Sequence, residues 1–109
     1  MKPLAEALQG FLVADGAMGT QLLARGLGEE CPEACNVEHA DVVRAVHEGY
    51  IAAGARLVLT NTFGASEWKL ERSGHAADQE RFCRAAAENA LAAAAGQDVY
   101  VLGDVGPTG

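Results

Sequence analysis

The chain alternates short apolar runs with longer stretches in which apolar residues recur every three or four positions. The apolar runs lie within residues 11–15, 56–60 and 99–102, and each is followed by polar residues and a glycine. Uninterrupted apolar runs of this length are typical of strands that are covered on both faces. The pattern therefore predicts three short buried strands.

The periodic stretches predict helices. The clearest covers residues 41–53 and carries a well-defined apolar stripe. A second, alanine-rich helix is predicted over residues 78–95, with Phe82 on its inward face. Thr20 and Ser66 are positioned to cap two shorter helices. The shorter predicted helices cover residues 4–9, 21–25 and 66–72.

Strands that alternate with helices imply a parallel sheet with right-handed connections, so the predicted fold class is α/β. Three such strands cannot close a barrel, which typically needs eight strands and about 250 residues. The sequence has 109 residues and stops directly after the third predicted strand. We therefore expect residues 1–109 to be the N-terminal fragment of a larger α/β domain.

The charge balance narrows the range of partners. A formal net charge of −7 argues against binding to nucleic acid or to an anionic membrane surface. No apolar run approaches the roughly 20 residues that span a bilayer, and the N-terminus lacks the long apolar segment of a secretory signal. Three cysteines, an odd number in a chain without such a signal, favour reduced thiols and a cytoplasmic location.

The candidate functional residues come directly after the predicted strands. They should lie close together, because the carboxyl ends of parallel strands share one edge of a sheet. A carboxylate there can pair with an ammonium group, while hydroxyl, amide and backbone N–H donors can take a carboxylate. This edge therefore suits a small zwitterion, although an Asp-Gly pair also fits a plain solvated turn. The predicted substrate-binding residues are Asp15, Gly16, Thr60, Asn61 and Thr62, with Asp104 and Gly106 as possible rim residues.

The predicted loop over residues 26–36 offers a different kind of site. Cys31 and Cys35 have a spacing found in structural zinc sites, and His39 lies nearby in the sequence. Such sites need four ligands and the chain has no second cysteine pair, so two ordinary loop thiols are the simpler interpretation. His47 lies one residue off the apolar stripe of its helix and is expected on the helix surface. Cys83 is expected to be a small buried residue.

Several motifs occur in a matched order along nearly the whole chain. They are Asp15-Gly16-Ala17-Met18-Gly19-Thr20, Asn36, Asp41-Val42-Val43, His47, Tyr50, Ala53-Gly54-Ala55, Thr60-Asn61-Thr62-Phe63-Gly64-Ala65 and Gly103-Asp104-Val105-Gly106-Pro107-Thr108-Gly109. Together these motifs resemble the homocysteine S-methyltransferase domain, which is the N-terminal module of cobalamin-dependent methionine synthase and also occurs in betaine–homocysteine methyltransferases.

The resemblance implies a (β/α)8 TIM barrel, of which this chain holds the first three βα units. It also implies that homocysteine binds as a zinc-bound thiolate, which attacks an activated methyl group and forms methionine. The family's zinc ligands are a cysteine on a late strand and a pair in a Gly-Gly-Cys-Cys motif, and neither stretch occurs here. No metal ligand is therefore assigned, and by resemblance Asp15 is the candidate partner of the homocysteine amino group.

Three interpretations remain from the sequence. The first is a methyltransferase fragment that carries part of the homocysteine pocket and is inactive alone, with methylfolate through a corrinoid on another domain, betaine or S-methylmethionine as the open choices of methyl donor. The second is an autonomous small binding module with a metal at Cys31 and Cys35. The third is an inactive truncated product with exposed sheet edges.

Overall fold

The computed structural model of the protein describes residues 1–28 and 31–106. In the described ranges, four helices precede the first strand and two more lie between the strands, and 3-10 turns at Pro32–Ala34 and Ala76–Asp78 precede two of the helices. The elements are α1 (Leu4–Ala7), α2 (Gly19–Ala24), α3 (Cys35–Glu38), α4 (Ala40–Ala52), β1 (Leu57–Leu59), α5 (Glu67–Arg72), α6 (Gln79–Ala94) and β2 (Tyr100–Leu102).

The two strands pair in parallel, as the alternating pattern predicts. Leu57, Val58 and Leu59 of β1 lie opposite Tyr100, Val101 and Leu102 of β2. The connection between them contains α5 and α6, and α6 packs against both α4 and β2. A parallel pair requires such a crossover, because a tight turn cannot join strands that run in the same direction.

The first predicted strand, residues 11–15, is reduced to an isolated bridge. Ala14 pairs in parallel with Leu57, and the Asp15 N–H donates to the Leu57 carbonyl oxygen over 2.9 Å. Phe11 is 100 % exposed and Val13 is 53 % exposed. The prediction of a buried strand is therefore wrong for this segment, although it runs beside β1 in the predicted direction and leaves Asp15 at its end.

The helices confirm most of the periodic pattern. The stripe of α4 buries Val43 and Val46, and α6 buries Phe82 as predicted. Ser66 caps α5, since its hydroxyl oxygen accepts the Lys69 N–H over 3.2 Å. No helix in the described part of the chain is long and apolar enough to cross a membrane.

Three local expectations are wrong. Thr20 does not precede α2 but lies inside it, because the helix begins at Gly19. The expected loop of residues 26–36 contains the Pro32–Ala34 turn and the start of α3. Cys83 is only partly buried, because its position on α6 lies at the edge of the buried face.

His47 also departs from the expectation of a surface residue, because it is fully buried. Helices α2, α3 and α6 all pack against α4, so more of the α4 surface is covered than one apolar stripe. Neither ring nitrogen of His47 has a hydrogen-bond partner among the described residues. Burial lowers the pKa of this imidazole, because the interior disfavours its charged form.

Candidate functional site

A cavity of about 870 Å³ lies where the segment before Asp15 and the strands β1 and β2 end. All five predicted substrate-binding residues line it, and Asp104 does as well. Gly106 instead lines a neighbouring groove, with its backbone against that of Phe63. The structure thus brings together polar residues that are up to about ninety positions apart in the sequence, as expected for the carboxyl edge of a parallel sheet.

Asp15 is the half-buried carboxylate of this cavity. Its Oδ2 accepts the Leu59 N–H over 3.1 Å, which fixes the side chain at the end of β1. Burial raises the pKa of the Asp15 carboxyl above its ordinary value; hydrogen bonds from the backbone N–H groups of Leu59 and Asp15 itself oppose the rise, and the nearby Asp104 adds to it. A carboxylate in this setting gains from a positively charged ligand group.

Gly16 is required by packing. A Cβ at this position would lie 2.9 Å from the Tyr50 hydroxyl oxygen, and the ring itself lies almost as close. The Tyr50 hydroxyl in turn donates to the Ala17 carbonyl oxygen over 2.7 Å. The glycine therefore lets a side chain of α4 hold the turn after Asp15, which is a positioning role.

Thr60 and Thr62 form a closed hydrogen-bonded ring with the backbone of Asp104. The Asp104 N–H donates to Thr60 Oγ1 over 3.2 Å, and the Thr62 hydroxyl donates to the Asp104 carbonyl oxygen over 2.7 Å. The two hydroxyl oxygens lie 2.7 Å apart. Since the Thr62 proton is already used, the Thr60 hydroxyl must donate to Thr62. The Thr62 hydroxyl and the Asp104 N–H thus hold the ends of β1 and β2 together, and the Thr60 proton closes the ring.

Asn61 belongs to a buried amide network that contains all three asparagines of the chain. Its Nδ2 donates to the Pro32 carbonyl oxygen and to Asn36 Oδ1, each over 3.0 Å. Asn36 Nδ2 returns a bond to the Asn61 carbonyl oxygen over 2.8 Å, and Asn89 Nδ2 donates to the Asn36 carbonyl oxygen over 3.0 Å. Both amide protons of Asn61 are therefore committed to structure.

Glu33 is a cavity residue that sequence reasoning missed. It is only 6 % exposed, and its Oε2 accepts the Gly64 N–H over 3.0 Å. Its Oε1 lies 3.7 Å from the Cys31 sulfur, whose thiol has a pKa raised by burial. A Cβ on Gly64 would lie 2.8 Å from that same Oε1. The close fit between Gly64 and a buried carboxylate is a long-range contact, and no local pattern signals it.

The zinc-module interpretation is not supported by the structure. Within residues 1–28 and 31–106, no group of three or more His, Cys, Asp and Glu side chains is arranged to hold a metal ion. Cys31 and Cys35 are both buried and His39 ends α3, so the pair is part of the packed core around α3. The zinc implied by the resemblance therefore does not fit the residues described here.

One side of the cavity, called here the outer side, is lined by Phe63 and Gly64 and by residues of α5. Arg72 places its guanidinium carbon 4.7 Å from the centre of the Trp68 ring. Lys69 Nζ lies 5.9 Å from the centre of the Phe63 ring. All four of these residues line the cavity that Asp15 also lines.

The sequence is similar to proteins of one functional class. A profile described as homocysteine S-methyltransferase matches residues 12–109. Methionine synthase of Mycobacterium tuberculosis is 47 % identical over 66 residues, which cover 53 % of this chain and 6 % of that protein. Betaine–homocysteine S-methyltransferase 1 of Xenopus tropicalis is 39 % identical over 79 residues, which cover 68 % of this chain and 19 % of that protein.

A solved structure of a homocysteine methyltransferase is also similar to this chain. The metallated form of the homocysteine methyltransferase MmuM from Escherichia coli matches with a TM-score of 0.77 and 30 % identity, over 95 % of this chain and 41 % of that one. The chain thus spans less than half the length of each of these relatives. Because the family profile matches most of the sequence, from the first parallel segment onwards, the chain belongs to the homocysteine S-methyltransferase family.

Proposed function

We propose that this chain forms the first part of the homocysteine pocket of a homocysteine S-methyltransferase. The observation that carries the proposal is the half-buried Asp15 carboxylate, anchored by Leu59 in a cavity at the carboxyl ends of parallel segments. Family membership supplies the reaction class, which is methyl transfer to the sulfur of homocysteine. The cavity supplies a place for the amino-acid end of that substrate.

We further infer that residues 1–109 are the first three βα units of a (β/α)8 barrel. The parallel segments lie in chain order, with Ala14 beside β1 and β1 beside β2. That order is typical of a barrel, in which each strand neighbours the one before it, whereas doubly wound sheets reverse their order. The remaining units would follow residue 109 and complete the pocket.

In this pocket Asp15 binds the homocysteine ammonium group. The pairing stabilises the ionised carboxylate, which burial otherwise disfavours. The homocysteine carboxylate needs donors that are not already used, and the protons of Thr60, Thr62 and Asn61 are committed to structure. We therefore assign the carboxylate to backbone N–H groups of the turn that follows Asp15, whose residues line the cavity.

The activation of the substrate sulfur is assigned to residues outside this chain. The described residues offer no metal-binding group, and the zinc-binding motifs implied by the resemblance do not occur in the sequence. We accordingly expect the 109-residue chain to bind homocysteine without transferring a methyl group to it. Methyl transfer by this chain alone would contradict the assignment.

Isothermal titration of the chain with L-homocysteine under reducing conditions tests the role of Asp15. Asp15→Asn keeps the size of the side chain but removes the charge, so affinity should fall about 10- to 150-fold, the loss expected for a charge-assisted hydrogen bond. Asp98→Asn is the matched control, because Asp98 is exposed and does not line the cavity. Equal affinity of Asp15→Asn and Asp98→Asn would refute the proposed pocket.

The pH dependence of binding provides a second test. Because burial raises the pKa of Asp15, protonation begins at a higher pH than for an exposed aspartate. A protonated carboxyl cannot pair with an ammonium group, so homocysteine affinity should fall as the pH is lowered through that pKa. Asp15→Asn should lose this dependence while Asp98→Asn retains it.

A further inference from the structure

The outer side of the cavity carries two cations whose charge is not balanced by a neighbouring acid. Lys69 and Arg72 form no ion pair with any carboxylate in the described part of the chain, although the sequence has an excess of acidic residues. The acids that line the cavity are Asp15 and Asp104, which follow the parallel segments, and Glu33 in the Pro32–Ala34 turn. The cavity lining therefore combines three carboxylates with the two cations of α5.

Aromatic rings hold these two cations in place. Trp68 and Arg72 are one helical turn apart on α5, and the guanidinium stacks on the indole at 4.7 Å. Phe63 and Lys69 make the second pair at 5.9 Å. The rings remain 53 % exposed for Phe63 and 48 % for Trp68, so this cation-aromatic rim faces the mouth of the cavity.

We propose that the cation-aromatic rim of Phe63, Trp68, Lys69 and Arg72 binds the carboxylate part of an anionic methyl donor. The inference rests on the proposed function, which places homocysteine at the floor beside Asp15. The rim and Asp15 line the same cavity, so a ligand at the rim would lie in one pocket with homocysteine bound at Asp15. Two cations held by rings are preorganised to pair with carboxylates.

The same geometry disfavours a donor with a quaternary ammonium or sulfonium group. Recognition of such cations uses aromatic faces as the source of attraction. Here each ring of the rim already has a cation of the protein on one face. A cationic ligand would in addition be repelled by Lys69 and Arg72, whereas a dicarboxylate would be attracted to both.

Trp68 makes the proposal measurable, because it is the only tryptophan of the chain. Its fluorescence is followed while the 109-residue protein is titrated with glutarate, a dicarboxylate, or with tetramethylammonium, at constant ionic strength. Glutarate should change the emission in a saturable way and tetramethylammonium should not. A saturable change with tetramethylammonium, or the same response to both probes, would overturn the proposal.

Charge-removing variants locate the binding. Lys69→Gln and Arg72→Gln should each raise the half-saturating glutarate concentration about fivefold, the effect expected for one exposed charge. Arg44→Gln is the control, because Arg44 is exposed on α4 and does not line the cavity. Lys69→Gln is the more informative variant, because it leaves Arg72, which stacks on the fluorescent Trp68, unchanged. Unchanged glutarate binding in both rim variants would overturn the proposal.

Homocysteine binding separates this inference from the proposed function. Homocysteine affinity should fall about 10- to 150-fold in Asp15→Asn and be unchanged in Lys69→Gln and Arg72→Gln. If homocysteine binds in this way but glutarate does not bind, the proposal that the cation-aromatic rim binds an anionic donor is wrong and the pocket assignment stands. If glutarate binds through the rim but homocysteine does not bind, the pocket assignment fails, and the role of the rim as a donor site falls with it.

Discussion

Asn36→Ala should be strongly destabilising, because Asn36 is the centre of the buried amide network. Its side chain donates to the Asn61 carbonyl oxygen over 2.8 Å and to the Phe82 carbonyl oxygen over 3.3 Å. Its Oδ1 accepts one proton of the Asn61 amide over 3.0 Å. The network joins the loop after β1 to α3 and α6, so its loss should affect the position of the cavity floor.

The magnitude follows from which groups lose a partner. The Phe82 carbonyl lies within α6 and keeps its bond from the following turn of the helix. The Asn61 carbonyl oxygen and one Asn61 amide proton lose the bonds they make to Asn36. Each buried group left without a partner costs about 1–3 kcal/mol, so the free energy of unfolding should fall by about 2–6 kcal/mol. That is a large share of the roughly 5–15 kcal/mol that stabilises a typical domain.

Urea unfolding monitored by circular dichroism gives this value, and a double-mutant cycle tests its origin. In Asn36→Ala/Asn61→Ala the lost partners belong to the same pair, so the double variant should lose clearly less stability than the sum of the two single variants. Gln21→Ala serves as a control, because Gln21 bonds only the exposed Arg25 side chain, and it should cost no more than about 0.5 kcal/mol. Additive losses, or a loss in Asn36→Ala as small as in Gln21→Ala, would refute the reasoning.

Two further stability predictions follow from the packing. Gly106→Ala would place a Cβ against the Phe63 backbone and should cost about 1–3 kcal/mol in urea unfolding, whereas Gly103→Ala has open space and should be near neutral. His47→Leu removes two buried nitrogens without partners and should raise the free energy of unfolding by about 1–3 kcal/mol. Because burial lowers the pKa of His47, the unfolded chain binds its proton first, and stability is lost as the pH falls through about 6.5. The gain from His47→Leu should therefore be larger at about pH 5.5 than at about pH 7.5, and an equal gain would contradict the buried-histidine argument.

The sequence pattern predicts which residues meet at the cavity because the position of strand ends follows from the topology of the sheet. Once the apolar runs are placed in one parallel sheet, Asp15, Thr60 and Asp104 must lie along the same edge. The structure confirms that all three line one cavity. What each side chain does there depends on contacts between distant residues, and a one-dimensional pattern contains no information about them.

The errors have the same physical origin. The apolar neighbours of Phe11 predict that it belongs to a buried strand. Burial needs a layer of residues that covers the side chain, and Phe11 is fully exposed. The position of His47 beside the apolar stripe predicts a surface residue. His47 is nevertheless buried, because three helices pack against α4. Glu33 lies in the predicted loop of residues 26–36, yet its side chain is buried and accepts the Gly64 N–H. In each case tertiary contacts override the local pattern.

The polar residues of this cavity fall into two groups with different roles, and this bears on its specificity for a methyl donor. The threonine hydroxyls and the amide of Asn61 hold the strand ends in place, so a change at either would move the carboxylate of Asp15 as well as the wall. The side chains of Lys69 and Arg72 are exposed and lie over aromatic rings of the rim, and neither takes part in those polar contacts. Under the proposed function, substitutions on α5 should change donor binding at the rim and leave the contacts of Asp15 intact.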